Sequence, residues 1–153
     1  MARPHGSLYG NYDKLPDCTP YLVELVQLET ILELRRRILA PGQPAVFPED
    51  CSPTTFHVAI FPPKRTHGLF SDKPVCCATL VLTDQVEGIP FYQLRGMATD
   101  LKWQKRGLGS RLLSWIEKYF CEQMIAMLKA PNIYLWCNAR VSAVPFYEKQ
   151  GWH

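Results

Sequence analysis

Residues 104–109 read Gln-Lys-Arg-Gly-Leu-Gly, and a helical apolar pattern follows at once. Two glycines and several cations at the mouth of a helix are the parts of an anion cradle. A helix N-terminus leaves amide N–H groups unpaired and carries partial positive charge. Glycine lets main chain approach a ligand closely, and phosphate is the usual occupant of such a place. Lys102, Lys105, Arg106 and Arg111 would add charge around it. The competing reading is an ordinary glycine-containing connection with solvated cations, and the glycines alone favour it. Two phosphate motifs are excluded. The P-loop needs four residues between its glycines and then Gly-Lys-Ser/Thr. The dinucleotide fingerprint needs a third glycine three residues after the second, where this chain has Leu112.

Other candidates flank that stretch. Tyr147 stands in Phe-Tyr-Glu-Lys at 146–149. A phenol with a pKa of about 10 is protonated at neutral pH and can serve as a general acid. A core aromatic beside Phe146 is the competing reading. Upstream, Gln93, Arg95 and Met97 share one face of an expected strand. Arg95 there either grips a substrate carboxylate or pairs with a nearby acid. Gly96 suits a bulge or tight packing. The stretch Phe-Tyr-Gln-Leu-Arg-Gly at 91–96 holds no acid, so it supplies no general base. His57 and Glu33 are candidates for that role by residue type alone. Arg35, Arg36 and Arg37 read as a solvated face of the first helix.

These residues must be positioned by one domain. The chain has 153 residues, enough to bury a real core. Its net charge of +3 is too mild to call for nucleic acid. The six cysteines form no C-x-x-C pair, which argues against zinc or redox chemistry. They read as small buried hydrophobes of a reducing compartment. The first residues have no apolar segment of signal-peptide type, and no apolar window is long enough to span a bilayer.

Residues 1–20, rich in Gly, Pro and polar side chains, read as a loose tail. Strands are expected at 21–28, 54–61, 75–83, 91–99 and 132–137. A helix is expected at 29–39, a proline-rich loop at 40–53 and a polar connection at 62–74. A turn is expected at 84–90. A long amphipathic helix comes after the glycines, with Leu108, Leu112, Trp115, Ile116, Tyr119, Phe120, Met124 and Met127 on its apolar face. A short helix covers 142–151, with Pro145 tolerated in its first turn. Strands joined by helices give an α/β layer architecture. The unit at 91–137 should be a right-handed crossover with parallel strands.

Gln104-Lys-Arg-Gly-Leu-Gly resembles the Q/R-x-x-G-x-G/A signature of the GNAT superfamily of acyl-CoA-dependent N-acyltransferases. Downstream, Asn-Ile-Tyr-Leu-Trp-Cys-Asn and then Phe-Tyr-Glu-Lys-Gln-Gly-Trp resemble that superfamily's strand, asparagine and helix. The two matches lie in the right order, and the likeness covers roughly residues 21–153. It implies an α/β fold: a mixed, mostly antiparallel sheet with a splayed parallel strand pair and helices on both faces. It implies transfer of an acetyl group from acetyl-CoA to a primary amine of a small molecule or protein by direct attack. The alternative is a catalytically weak or inactive acyl-CoA-binding regulatory domain.

By the same resemblance, the amides of Lys105, Arg106, Gly107, Leu108, Gly109 and Ser110, with Gln104, hold the coenzyme A diphosphate. Met97, Ala98 and Thr99 pair with its pantetheine arm and supply the oxyanion donor. Asn138 bonds that arm or caps the next helix. Tyr147 protonates the leaving thiolate. Independently of the resemblance, the strand face that Gln93 and Arg95 share is the candidate acceptor-binding face. A covalent route through Cys137 is the weaker alternative. No metal, nucleic acid or membrane is implied, a homodimer is compatible, and the expected compartment is the cytoplasm, with the nucleus left open. Superfamily members normally add two strands beyond this motif. With His153 ending the sequence, the expectation is a domain lacking them, whose edge a partner chain or a rearranged N-terminus would fill.

Overall fold

Six consecutive residues from Cys76 to Val81 are buried, the signature of a strand covered on both faces. They form the first half of β4 (Cys76–Val86), near the middle of the sheet. Around it stand β1 (Ala2–Pro4), β2 (Leu22–Val26), β3 (Thr55–Phe61), β5 (Ile89–Thr99) and β6 (Tyr134–Cys137). The helices are α1 (Leu28–Leu39), α2 (Leu108–Trp115), α3 (Cys121–Leu128) and α4 (Val144–Lys149). This computed structural model describes residues 2–4, 20–39, 41, 45–64 and 69–153.

The six-stranded sheet runs in the order β1-β6-β5-β4-β3-β2. Every neighbouring pair is antiparallel except β5 and β6. That pair is parallel, with Phe91 opposite Tyr134 and Leu94 opposite Cys137, so the expected parallel pairing across the helical connection is present.

Each face of the sheet carries its own apolar cluster. On one, Leu108, Leu112, Leu113, Ile116 and Phe120 pack with Leu80, Tyr92, Leu94 and Leu135. On the other, Ile31 and Leu34 of α1 pack with Ala59, Phe61, Cys77 and Ala98. Burying one such aliphatic side chain contributes about 1.5–3 kcal/mol, so both helical layers are held by burial. Near the end of the chain, the indole of Trp152 donates to Glu117 Oε1 at 2.8 Å inside the core.

Three expectations are corrected. The turn at 84–90 is only Glu87 and Gly88, with φ of +51° and +78°. Two residues of positive φ make a type I′ hairpin, whose twist suits its strands, so the strands reach further than their composition suggests. Ala2–Pro4, part of the expected tail, form a strand against β6; residues 1 and 5–19 lie outside the described residues. The long helix is interrupted by a π-helical turn, Ile116–Phe120, between α2 and α3. The wider turn shifts the helical phase downstream, which leaves Tyr119 and Met127 exposed rather than on the apolar face.

Candidate active site

The site begins with an irregularity in β5. Cys77 lies opposite Ala98, but Thr79 lies opposite Arg95, so Gly96 and Met97 share Ala78 as partner. This is the bulge expected at Gly96, which takes a φ of +59°. A methyl group there would also meet Arg35 Nε at 3.1 Å and the Phe47 ring at 3.3 Å. Backbone and packing thus both require glycine.

The bulge bends β5 away from β6. Their pairing stops at Leu94 and Cys137, and residues 96–99 have no strand partner on that side among the described residues. A cavity of about 670 Å³ opens where the strands part. Gln93, Arg95, Met97, Asn138, Arg140 and Tyr147 are on its walls, so most of the expected substrate and catalytic residues converge. Tyr147 is 7% exposed, and its hydroxyl donates to Met97 Sδ at 3.7 Å. Burial, and then the neighbouring Cys137, push the Tyr147 phenol well above its usual pKa. Burial likewise raises the Cys137 thiol, and it drives Cys76 and Cys77 up to about 12. These thiols keep their protons at neutral pH and make poor nucleophiles.

The glycine turn adjoins this cavity. Asp100 Oδ1 accepts from the Lys102 amide at 2.9 Å and caps a short 3-10 turn. Gln104 Nε2 then donates to the Thr99 carbonyl at 3.0 Å, so this side chain shapes the turn. Lys105 and Gly107 take φ of +61° and +78°. Gly107 precedes α2 with no side-chain cap. Its carbonyl receives Arg111 N at 3.0 Å, while the amides of Leu108, Gly109 and Ser110 have no preceding turn to bond within the helix. Lys105 and Arg106 are exposed beside them. Arg106 stacks on Trp103, 4.8 Å from the ring centroid.

Gly109 ties the turn to the cavity. A methyl group there would lie 3.2 Å from Phe146 and 3.3 Å from Met97. Ser110 Oγ accepts from Gln150 Nε2 at 2.8 Å. Arg111 does not reinforce the mouth of the turn: it is buried with its guanidinium over the Tyr21 ring. Asn138 is no helix cap, because Arg140 and Ala143 occupy the cap positions that come after it.

The expected solvated face of α1 is corrected at Arg35, which is 1% exposed. Its Nη1 donates to Asp50 Oδ2 at 2.6 Å and to the Ala45 carbonyl at 2.8 Å, and its Nη2 donates to Thr79 Oγ1. His57 joins the same network. Its Nε2 donates to the Asp50 carbonyl at 3.0 Å, and its Nδ1 lies 2.8 Å from Thr79 Oγ1. Both ring nitrogens are used, and His57 does not line the cavity. Glu33 is exposed on α1 and pairs with Arg37. Neither residue is therefore placed as the base. Glu49, which sequence reasoning missed, lines the cavity and receives Arg95 Nη1 at 2.8 Å. Arg95 Nε also donates to Gln93 Oε1. The one signal available was an acid pair, Glu49-Asp50, after a run of arginines.

The parted sheet and the buried Tyr147 share one cavity, and the bare helix start adjoins it. The family model for the acetyltransferase (GNAT) domain matches residues 54–153, and the chain belongs to that family. An uncharacterized N-acetyltransferase, YitI of Bacillus subtilis (strain 168), is 29% identical over 133 residues, covering 85% of this chain and 80% of its own. The crystal structure of glucosamine-6-phosphate N-acetyltransferase from Arabidopsis thaliana aligns with a TM-score of 0.59 at 12% identity, over 87% of this chain and 91% of that one. The aminoglycoside N-acetyltransferase AAC(6')-Iy, in complex with CoA, aligns with a TM-score of 0.58 at 13% identity, over 91% of each chain. These two likenesses are of fold. Among the described residues, no helix is long and apolar enough to cross a membrane.

Proposed function

We propose that the protein transfers an acetyl group from acetyl-CoA to a primary amine of a small molecule or protein by direct attack. One observation carries this reading: the buried Tyr147 hydroxyl touches Met97 on the strand that has left its partner, beside the glycine turn. The residues present fit the donor. Uncapped amides from Lys105 to Ser110 suit a diphosphate, with Lys105 and Arg106 adding charge. The unpartnered edge formed by Met97, Ala98 and Thr99 suits an extended amide-bearing arm, bound as an added strand would be. Asn138 stands on the cavity wall to bond the same arm.

The thioester carbonyl gains negative charge as the amine attacks, and a main-chain N–H near Met97 stabilises it. The departing thiolate takes the Tyr147 proton. Burial keeps the hydroxyl protonated at neutral pH, so the proton is in place when the thiolate departs. The test is thiol release from acetyl-CoA with a panel of amines. Tyr147→Phe should lower kcat by about a hundredfold. The raised phenol pKa means Tyr147 should impose no alkaline limb on the rate below about pH 10. Unchanged turnover in Tyr147→Phe would remove the acid role.

A further inference from the structure

The charges around the cavity are unevenly matched. Arg35 is matched by Asp50 at 2.6 Å and Arg95 by Glu49 at 2.8 Å. Arg140, exposed on the cavity wall after β6, makes no ion pair among the described residues. The cavity therefore combines a carboxylate from the 45–52 loop with a surplus cation from the β6–α4 connection. Such a pair is complementary to a molecule that carries both an ammonium and an anion.

Glu49 is also held in place. Its neighbour Asp50 accepts from the Phe47 amide at 2.6 Å as well as from Arg35. Phe47 lies on the Arg35 guanidinium, 4.5 Å from centroid to carbon. Residues 45–52 are thereby pinned to the buried network, and the Glu49 side chain, 42% exposed, is left at the cavity. A carboxylate offers about four lone-pair sites, and Arg95 occupies one of them.

We propose that the acceptor is a small amine bearing a carboxylate or a phosphate, with its ammonium at Glu49 and its anionic group at Arg140. This rests on reading the chain as an acetyl-CoA-dependent transferase. The Glu49 carboxylate takes one proton from the ammonium, directly or through water, and passes it to solvent. The freed amine forms the C–N bond as the C–S bond breaks. The second nitrogen proton, lost to solvent, balances the one that Tyr147 gives to the thiolate and then regains.

The test compares acceptors matched in size: β-alanine against β-alaninamide, and phosphoethanolamine against ethanolamine. The wild type should turn over at least one anionic member with a kcat/KM about tenfold or more above its neutral partner, and the favoured pair tells carboxylate from phosphate. Arg140→Gln should abolish that preference through KM for the anionic acceptor, and Arg140→Lys should keep much of it. Glu49→Gln should lower kcat about a hundredfold without changing KM for acetyl-CoA, and Glu49→Asp should retain part of the rate. Melting curves confirm that each variant is folded. Equal turnover of both members of each pair, a preference that survives Arg140→Gln, or full activity in Glu49→Gln would overturn the assignment. Absence of acetyl-CoA binding would overturn the transferase reading itself, and calorimetry shows that separately.

Discussion

A single methyl group separates Gly109 from alanine, and the site is tight for it. The added carbon would sit 3.2 Å from Phe146, the residue before Tyr147, and 3.3 Å from Met97. Both side chains can yield by a few tenths of an ångström, so overpacking of about 1–3 kcal/mol is offset by up to about 1 kcal/mol of gained helix propensity. Gly109→Ala should therefore stay folded while its KM for acetyl-CoA rises by about tenfold, the equivalent of about 1.4 kcal/mol. Steady-state kinetics at varied acetyl-CoA check this, and an unchanged KM would mean the turn is not coupled to the cavity. Much of the site is legible at this scale. Gly96 announces its bulge by residue type, whereas the roles proposed for Gly107 and Tyr147 rest on the resemblance of their motifs to the superfamily's signatures. Glu49 has neither signal, because its link to Arg95 spans 46 positions and no local period announces it.

At the scale of elements, periodicity reveals the strands and helices, and it fails where a regular count is broken. The π-helical turn at Ile116–Phe120 has no composition of its own, so the residue pattern alone describes a uniform helix. The 45–52 loop is legible only as irregular, since proline forbids regular structure without saying what replaces it. Its order comes from Asp50 locked onto Arg35, a pairing that also explains why a cation in a run of three is buried. Removing one member of such a pair leaves an uncompensated charge. Asp50→Ala should lower unfolding stability by about 3–5 kcal/mol, measured by urea denaturation. In the folded fraction it should raise KM for the amine more than for acetyl-CoA, because the loop carries Glu49. A loss under about 1 kcal/mol, the worth of a surface pair, would show that the pair does not anchor the loop.

At the scale of the whole molecule, the proposed function assigns two tasks to either side of one parted strand. Apolar layers on both faces fix the sheet, and the bulge at Gly96 frees a length of main chain that a continuous ladder would consume. On the proposed reading, the donor would be held by backbone at the glycine turn, and the acceptor by side chains from the 45–52 loop and the β6–α4 connection. The most direct measurement is calorimetric titration of the full chain with acetyl-CoA and with S-acetylpantetheine, which lacks the diphosphate and nucleotide. Diphosphate capture by the turn predicts saturable binding of acetyl-CoA, at least about a hundredfold tighter than the truncated thioester, or about 2.7 kcal/mol. Equal affinity for the two, or no heat from acetyl-CoA at millimolar concentration with a folded protein, would contradict it.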